Sequence, residues 1–277
     1  MSEQRNGVID EGQGPPVLCL HGFPENASAF DDVASALVAA GFRVIRFDQR
    51  GYGDDVLQGR AAYTVARLAE DAIQVLDQAG VESCIVVGHD LGGIVAWEIG
   101  RTHAARVRSL VILGVPHPGA FLLSLLGGRQ ILHSWHFLVA QSTRLAEALY
   151  SPQRPASRAR FVSRLAKTGL SAHESERYLD HLAEGSRFVG AIRWYQAMPL
   201  SPPRSSFFIS QNNVEILWGD ADSLTGRLAI RLSHWFVSSG RLRVTILRGA
   251  THWLTDQNAG EIVQVVSRAE AETRDSP

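Results

Sequence analysis

The 277-residue chain has only two cysteines, Cys19 and Cys84, two methionines and a single lysine, Lys167. Two thiols set in separate apolar runs suit small core residues rather than a disulfide framework or a metal site, and a reducing, cytoplasmic setting is expected. Neither sign of charge is in excess: a net charge of −1 leaves no overall field to favour nucleic acid or an anionic membrane surface. No apolar run approaches the roughly 20 residues a membrane span needs. Met1-Ser-Glu-Gln-Arg-Asn-Gly7 lacks an apolar centre, so no secretory leader is expected. Internal repeats and low-complexity tracts are also missing. With 45% apolar and 20% charged residues, the composition is that of a globular protein.

What is there is an alternation of buried strands and helices. Val17–Leu20, Phe42–Phe47, Cys84–Val87 and Arg108–Leu113 read as strands covered on both faces. Between them, Ala29–Ala40 (opened by Asn26-Ala-Ser28), Val65–Ala79 and Ile94–Arg101 have helical spacing. That pattern predicts a parallel sheet with helices on both faces. It stops at Val115-Pro-His-Pro-Gly119, and the next eighty or so residues are helical with clustered aromatics. Strands resume at Val214–Trp218 and Leu242–Leu247, with helices over about 226–237 and 259–271. The expected organisation is an α/β core from residues 1–119 and 204–277, with an inserted helical lid at 120–203. Val8-Ile9 promises at most a short edge strand.

Three chemically suggestive segments follow strands, where open α/β sheets place their ligands. Gly88-His89-Asp90-Leu91-Gly92-Gly93 has the form of a strand–turn–helix nucleophile elbow with Asp in place of Ser. An Asp after a strand is commonly just a helix N-cap. Here the glycines and the later segments favour a nucleophile. Aspartate is ionised at neutral pH and needs no base to attack carbon. Gly219-Asp-Ala-Asp222 supplies an acid, Asp222, with Asp220 its rival, and Gly249-Ala-Thr-His252-Trp253 supplies a histidine. The order nucleophile, acid, histidine is that of the α/β-hydrolase triad, in which His252 activates water and Asp222 orients it. Backbone N–H groups of Phe23 and Leu91 are the oxyanion-hole candidates. Phe23-Pro24 is a candidate cis bond. His21 and His89 read as structural hydrogen-bonding residues.

On His21-Gly22-Phe23-Pro24, Gly88–Gly93, Asp222 and Gly249-x-x-His252-Trp253, the chain resembles the epoxide hydrolase and haloalkane dehalogenase branch of the α/β-hydrolases, from about Gly14 onward. The resemblance implies an α/β-hydrolase fold with a helical cap and hydrolysis of an epoxide to a vicinal diol through an Asp90 ester; the many apolar lid residues point to an apolar epoxide as the small-molecule substrate. It implies neither a metal nor an organic cofactor. It implies two lid acids that hydrogen-bond the epoxide oxygen. Ile192-Arg-Trp-Tyr195 resembles the segment carrying one, Tyr195. His136 stands where the other tyrosine is usual, as in a smaller His–Tyr subgroup; Tyr150 and Tyr178 are alternative donors. The N-terminus looks short for the family's first strand, so an absent or reduced edge strand is expected. The rival activity is dehalogenation, of haloalkanes or haloacids, with Trp135, His136 and Tyr195 as a halide set. Haloalkane dehalogenases of this branch carry Trp directly after the nucleophile and fluoroacetate dehalogenases carry Arg, whereas this chain has Leu91. Oligomeric state is not encoded in any of these features.

Overall fold

Cys84–His89 is buried at every position and Val214–Gly219 likewise, as strands flanked by helices on both faces must be. The structure, a computed structural model, describes residues 3–5, 7–53, 59–127 and 135–274. In chain order the core strands are β1 (Glu3–Arg5), β2 (Val8–Gly12), β3 (Pro16–Leu20), β4 (Arg43–Phe47), β5 (Cys84–His89), β6 (Val107–Leu113), β7 (Val214–Gly219) and β8 (Leu242–Leu247). They form one eight-stranded sheet of order β1-β2-β4-β3-β5-β6-β7-β8. Every pairing from β4 to β8 is parallel, and the two N-terminal pairings are antiparallel.

The N-terminal edge is fuller than the sequence promises. β2 pairs with β4 along its whole length, and only β1, at three residues, is reduced. The polar run Asp10-Glu11, which reads poorly as a strand, is matched by the two arginines of β4. Arg43 grips Asp10 with two hydrogen bonds of 2.9 and 2.6 Å, and Arg46 donates to Glu11 at 3.1 and 3.0 Å. Cross-strand ion pairs of this kind stabilise a pairing that apolar patterning does not announce.

Helices α1 (Asp31–Ala39), α2 (Val65–Gln78) and α3 (Leu91–Thr102) fill the early crossovers. Between β6 and β7 the described residues form helices and turns, apart from one isolated bridge from Ser210 to Val237. These helices are α4 (Pro118–Gly127), α5 (Trp135–Ala140), α6 (Thr143–Tyr150), α7 (Pro155–Ala166), α8 (Ala172–Ala183) and α9 (Arg187–Ala197). The helix expected over 226–237 is shorter: α10 (Arg227–Leu232) tightens into a 3-10 turn over Ser233–Phe236. Ser233 causes the change in part, since its hydroxyl donates to the Ala229 carbonyl at 3.2 Å and accepts the His117 N–H at 2.9 Å. The chain closes with α11 (Leu254–Gln257) and α12 (Ala259–Arg274). No helix among the described residues is long and apolar enough to cross a membrane.

The helical insertion is tied to the core by its backbone contacts. Gly51, with φ +96°, meets Gly190 of α9 so closely that a Cβ on Gly190 would stand 2.3 Å from the Gly51 carbonyl. Next to it the Trp194 indole N–H donates to the Arg50 carbonyl at 2.6 Å. The face of α9 that carries Tyr195 is thereby held over the C-terminal ends of the strands.

Candidate active site

The turn from β5 into α3 is abrupt because only one residue makes it. Asp90 has φ +49° and ψ −122° and is the one non-glycine residue at positive φ among those described. For a side chain other than glycine this conformation is strained, and such strain concentrates at functional positions. Glycines make the corner possible. A Cβ on Gly92 would lie 2.1 Å from the Leu20 carbonyl oxygen, and one on Gly22 would lie 2.5 Å from Asp90 Cβ. The Asp90 side chain makes no N-cap hydrogen bond. Its carboxylate, 18% exposed, faces the cavity under the helical insertion.

Loops from three other strands converge on that carboxylate. After β3, the backbone N–H of Phe23 donates to Asp90 Oδ1 at 3.1 Å, and the Phe23-Pro24 bond is cis. Leu91 is the first residue of α3, where a backbone N–H has no partner within the helix, and it lines the same cavity. After β7, Asp222 is fixed by the N–H groups of Leu224 (2.7 Å) and Thr225 (2.9 Å) on Oδ1. Its Oδ2 accepts from His252 Nδ1 at 2.9 Å. After β8, His252 sits nearly buried, with Nε2 3.4 Å from Asp90 Oδ2. Asp220 instead accepts the Gly249 N–H at 2.7 Å; its role is to shape the turn.

These groups perturb one another. Burial works against an imidazolium at His252, but the charge and hydrogen bond of Asp222, reinforced by Asp90, raise its pKa well above the ordinary histidine value. Burial likewise opposes ionisation of Asp90. His252, the nearby His89 and the Phe23 N–H outweigh it and hold the carboxyl at about 2. His89 is a second, hidden charge. Its two ring nitrogens face acceptors, Glu25 at 2.8 Å and the His252 carbonyl at 2.9 Å, which suits the doubly protonated ring. Burial disfavours that charge and Glu25 restores it, raising the His89 pKa and lowering that of Glu25. Glu25 also accepts the Gly22 N–H (2.8 Å) and the Thr255 hydroxyl (3.0 Å). This network links the floor beneath Asp90 to the backbone of the His252 loop. His21 is a neutral counterpart, accepting the Gln49 N–H at Nε2 and donating from Nδ1 to the Gly22 carbonyl.

Above Asp90 lies a cavity of about 660 Å³ with mostly apolar walls, within the range of small-molecule sites. Tyr195 lines it, its ring set edge-on to Phe23 (5.3 Å) and Phe137 (5.1 Å). Burial, with the Asp90 charge adding, pushes its phenol well above its usual pKa. It is therefore a protonated donor at neutral pH. Tyr150 also lines the cavity. Tyr178 does not; its hydroxyl donates to Asp256 at 2.6 Å. His136 belongs to α5, but its side chain, like that of Trp135, lies outside the described residues. Asp90, Asp222, His252, the Phe23 N–H, Leu91 and Tyr195 are thus brought together. Among the described residues no cluster of three or more His, Cys, Asp or Glu could hold a metal ion.

The sequence profile of the alpha/beta hydrolase fold family matches residues 15–264. The chain belongs to that family. Within it, this alpha/beta hydrolase is epoxide hydrolase-like. Epoxide hydrolase A of Mycobacterium tuberculosis is 31% identical over 92% of this chain and 90% of its own length. Epoxide hydrolase 2 of Caenorhabditis elegans is 31% identical over 94% of this chain and 75% of its own. An inhibitor-bound epoxide hydrolase structure from Bacillus megaterium superposes with a TM-score of 0.82 at 22% identity, covering 98% of this chain and all of the other. That last likeness concerns the fold.

The sequence reading missed the Glu25–His89–Thr255 network and the Tyr178–Asp256 pair. A charged residue directly after His-Gly-Phe-Pro was a signal for the first. Nothing local signals the second, whose members lie 78 positions apart.

Proposed function

We propose that this alpha/beta hydrolase opens epoxides to vicinal diols through an ester on Asp90. The observation that carries the reading is the placement of the Asp90 carboxylate: on a strained corner, at the floor of an apolar cavity, with Oδ1 on the Phe23 N–H and Oδ2 facing His252. The relatives named as epoxide hydrolases support the same chemistry.

Asp90 Oδ2 attacks a ring carbon, that carbon's bond to oxygen breaks, and the released alkoxide takes a proton from Tyr195. His136 is the second donor in this reading, on the strength of the resemblance. Ester formation removes the Asp90 charge, one of the two that hold a proton on His252, so the imidazole releases that proton to solvent and can then serve as a base. It takes a proton from water, the hydroxide attacks Asp90 Cγ, and the negative charge forming on Oδ1 meets the N–H groups of Phe23 and Leu91. The Asp90 Oδ2–Cγ bond then breaks, the departing alkoxide takes the proton from His252, and the regenerated Asp90 carboxyl, one oxygen of it now from the water, returns a proton to Tyr195, so that water has been added across the original carbon–oxygen bond. Residues 120–203 act as the lid over a core of 1–119 and 204–277.

The test is a panel of aryl and alkyl epoxides beside haloalkanes and fluoroacetate, with diol and halide both measured. Diol formation is expected, abolished in Asp90→Asn. In His252→Gln the ester should accumulate and add the substrate's mass to the intact protein. Halide release without diol formation would assign the chain to dehalogenation instead.

A further inference from the structure

The segment that carries His252 leans on the helical insertion. α11, which begins two residues after His252, is a single four-residue turn, too short to hold its own place. Its place is set by bonds from α8 and the stretch that joins it to α7. The Trp253 indole N–H donates to the Thr168 hydroxyl at 3.0 Å. The Gln257 amide donates to the Gly169 carbonyl at 2.9 Å, and its oxygen accepts from the Thr251 hydroxyl at 2.8 Å. A Cβ on Gly169, at φ +96°, would stand 2.4 Å from the Thr251 methyl carbon. Tyr178 of α8 closes the junction, its hydroxyl donating to Asp256 Oδ1 at 2.6 Å. Arg177, beside it, stands 3.3 Å from the same oxygen and donates to the Ser28 carbonyl and hydroxyl at 3.1 Å. Neither Tyr178 nor Asp256 lines the cavity that holds Asp90, whereas Arg164, Leu165 and Thr168, on the α7 side of the junction, do.

We propose that Tyr178 and Asp256 are positioning residues that hold the His252 imidazole where it can activate water, and so act on the release of the ester rather than on its formation. The proposal rests on the epoxide reading and extends it to a bond that touches no reacting atom. Asp256 Oδ2 has no hydrogen-bond partner among the described residues. Without the Tyr178 hydroxyl, Asp256 keeps one donor, Arg177, whose other bonds draw it towards Ser28. A buried carboxylate with so few donors turns to find another, and α11 turns with it. A displacement of about 1 Å at the imidazole is worth on the order of 10²-fold in rate. Ester formation is spared, because there the reacting groups are Asp90 and Tyr195 of α9, a helix anchored separately through Gly190 and Trp194.

Single turnovers and hydrogen exchange separate this proposal from the one it rests on. With styrene oxide, intact mass after rapid quenching follows the ester on Asp90. In Tyr178→Phe the ester should form within about twofold of the wild-type rate and decay about tenfold more slowly. Asp256→Ala should behave alike, and the double variant should be no worse than Asp256→Ala, since the same bond is lost in each. Arg158→Gln is the control: it cuts the ion pairs from α7 to Glu176 and Asp180 of α8 and should leave both steps unchanged. Ester formation slowed as much as decay, losses that add in the double variant, or the same slowing in Arg158→Gln would each overturn the assignment. Backbone exchange needs no substrate. Amides of 251–258 should exchange about fivefold faster in Tyr178→Phe and Asp256→Ala than in the wild type, with those of 84–89 unchanged; equal rates over 251–258 would also overturn it. If no epoxide is turned over, the epoxide reading fails, while exchange still decides whether Tyr178 holds the His252 segment.

Discussion

In the proposed reaction Asp90 has to be ionised to attack and then neutral, as an ester, to let His252 work. Its surroundings fit both states. In the free protein the carboxylate is held at about 2 by His252, His89 and the Phe23 N–H against the effect of burial. Once it is esterified, His252 keeps only Asp222 as a charged partner. In the proposed mechanism Asp222 therefore governs the second half-reaction. Asp222→Asn should lower kcat by about 10³ to 10⁴, as expected when the orienting acid of a triad is lost. The ester should form and persist, seen by intact mass after a brief exposure to substrate. Unimpaired turnover in that variant would remove Asp222 from the mechanism. The residues of this constellation were legible because each sits just after a strand in a short, glycine-bearing segment. Asp256 was not, because an Asp on a helix is usually only a solvated charge, and only the packing of Tyr178 against it shows otherwise.

At the scale of elements, the corner between β5 and α3 depends on how near α3 can come to the end of β3. Gly92→Ala would drive a Cβ to within 2.1 Å of one backbone oxygen, Leu20 O, and 2.5 Å of another, His21 O. Backbone cannot yield as a flexible side chain can. A loss of about 3 kcal/mol in chemical denaturation is expected, as for other overpacked sites. Activity should fall further than stability, because the strand end that shifts carries the Phe23 N–H. Gly53→Ala, at a position with open space around it, should stay within about 0.5 kcal/mol of the parent. Element type and order followed from hydrophobic period and glycine placement. The N-terminal strands did not, since β2 is secured by ion pairs to β4, and charges in a strand-like run argue against a strand until their partners are known.

For the whole molecule, acid stability is set in part by a histidine outside the reaction. His117 is fully buried, stacked on Phe236 at 4.8 Å with Trp97 and Phe208 around it, and burial lowers its pKa to about 3. The unfolded chain takes up this proton near pH 6.5, the folded chain only near pH 3. Between those values the unfolded state binds more protons, so stability falls as pH is lowered through that window. At about 1.4 kcal/mol per pH unit, the loss from this group is on the order of 3 kcal/mol by pH 4. His117→Phe should flatten that part of the pH–stability curve by a similar amount, whatever it does to stability at pH 7. Parallel curves for parent and variant, measured by urea unfolding from pH 4 to 7, would contradict this account.

The sequence by itself determined the sheet, its helical flanks, the helical insertion and the order of the segments that carry Asp90, Asp222 and His252. Those features depend on local periodicity and on turn chemistry carried by neighbouring residues. Tertiary structure alone decided that Glu25 pairs with His89 beneath Asp90 and that Arg164 shares a cavity with Asp90. Those facts depend on distance and burial between side chains far apart in the chain, which no local pattern encodes.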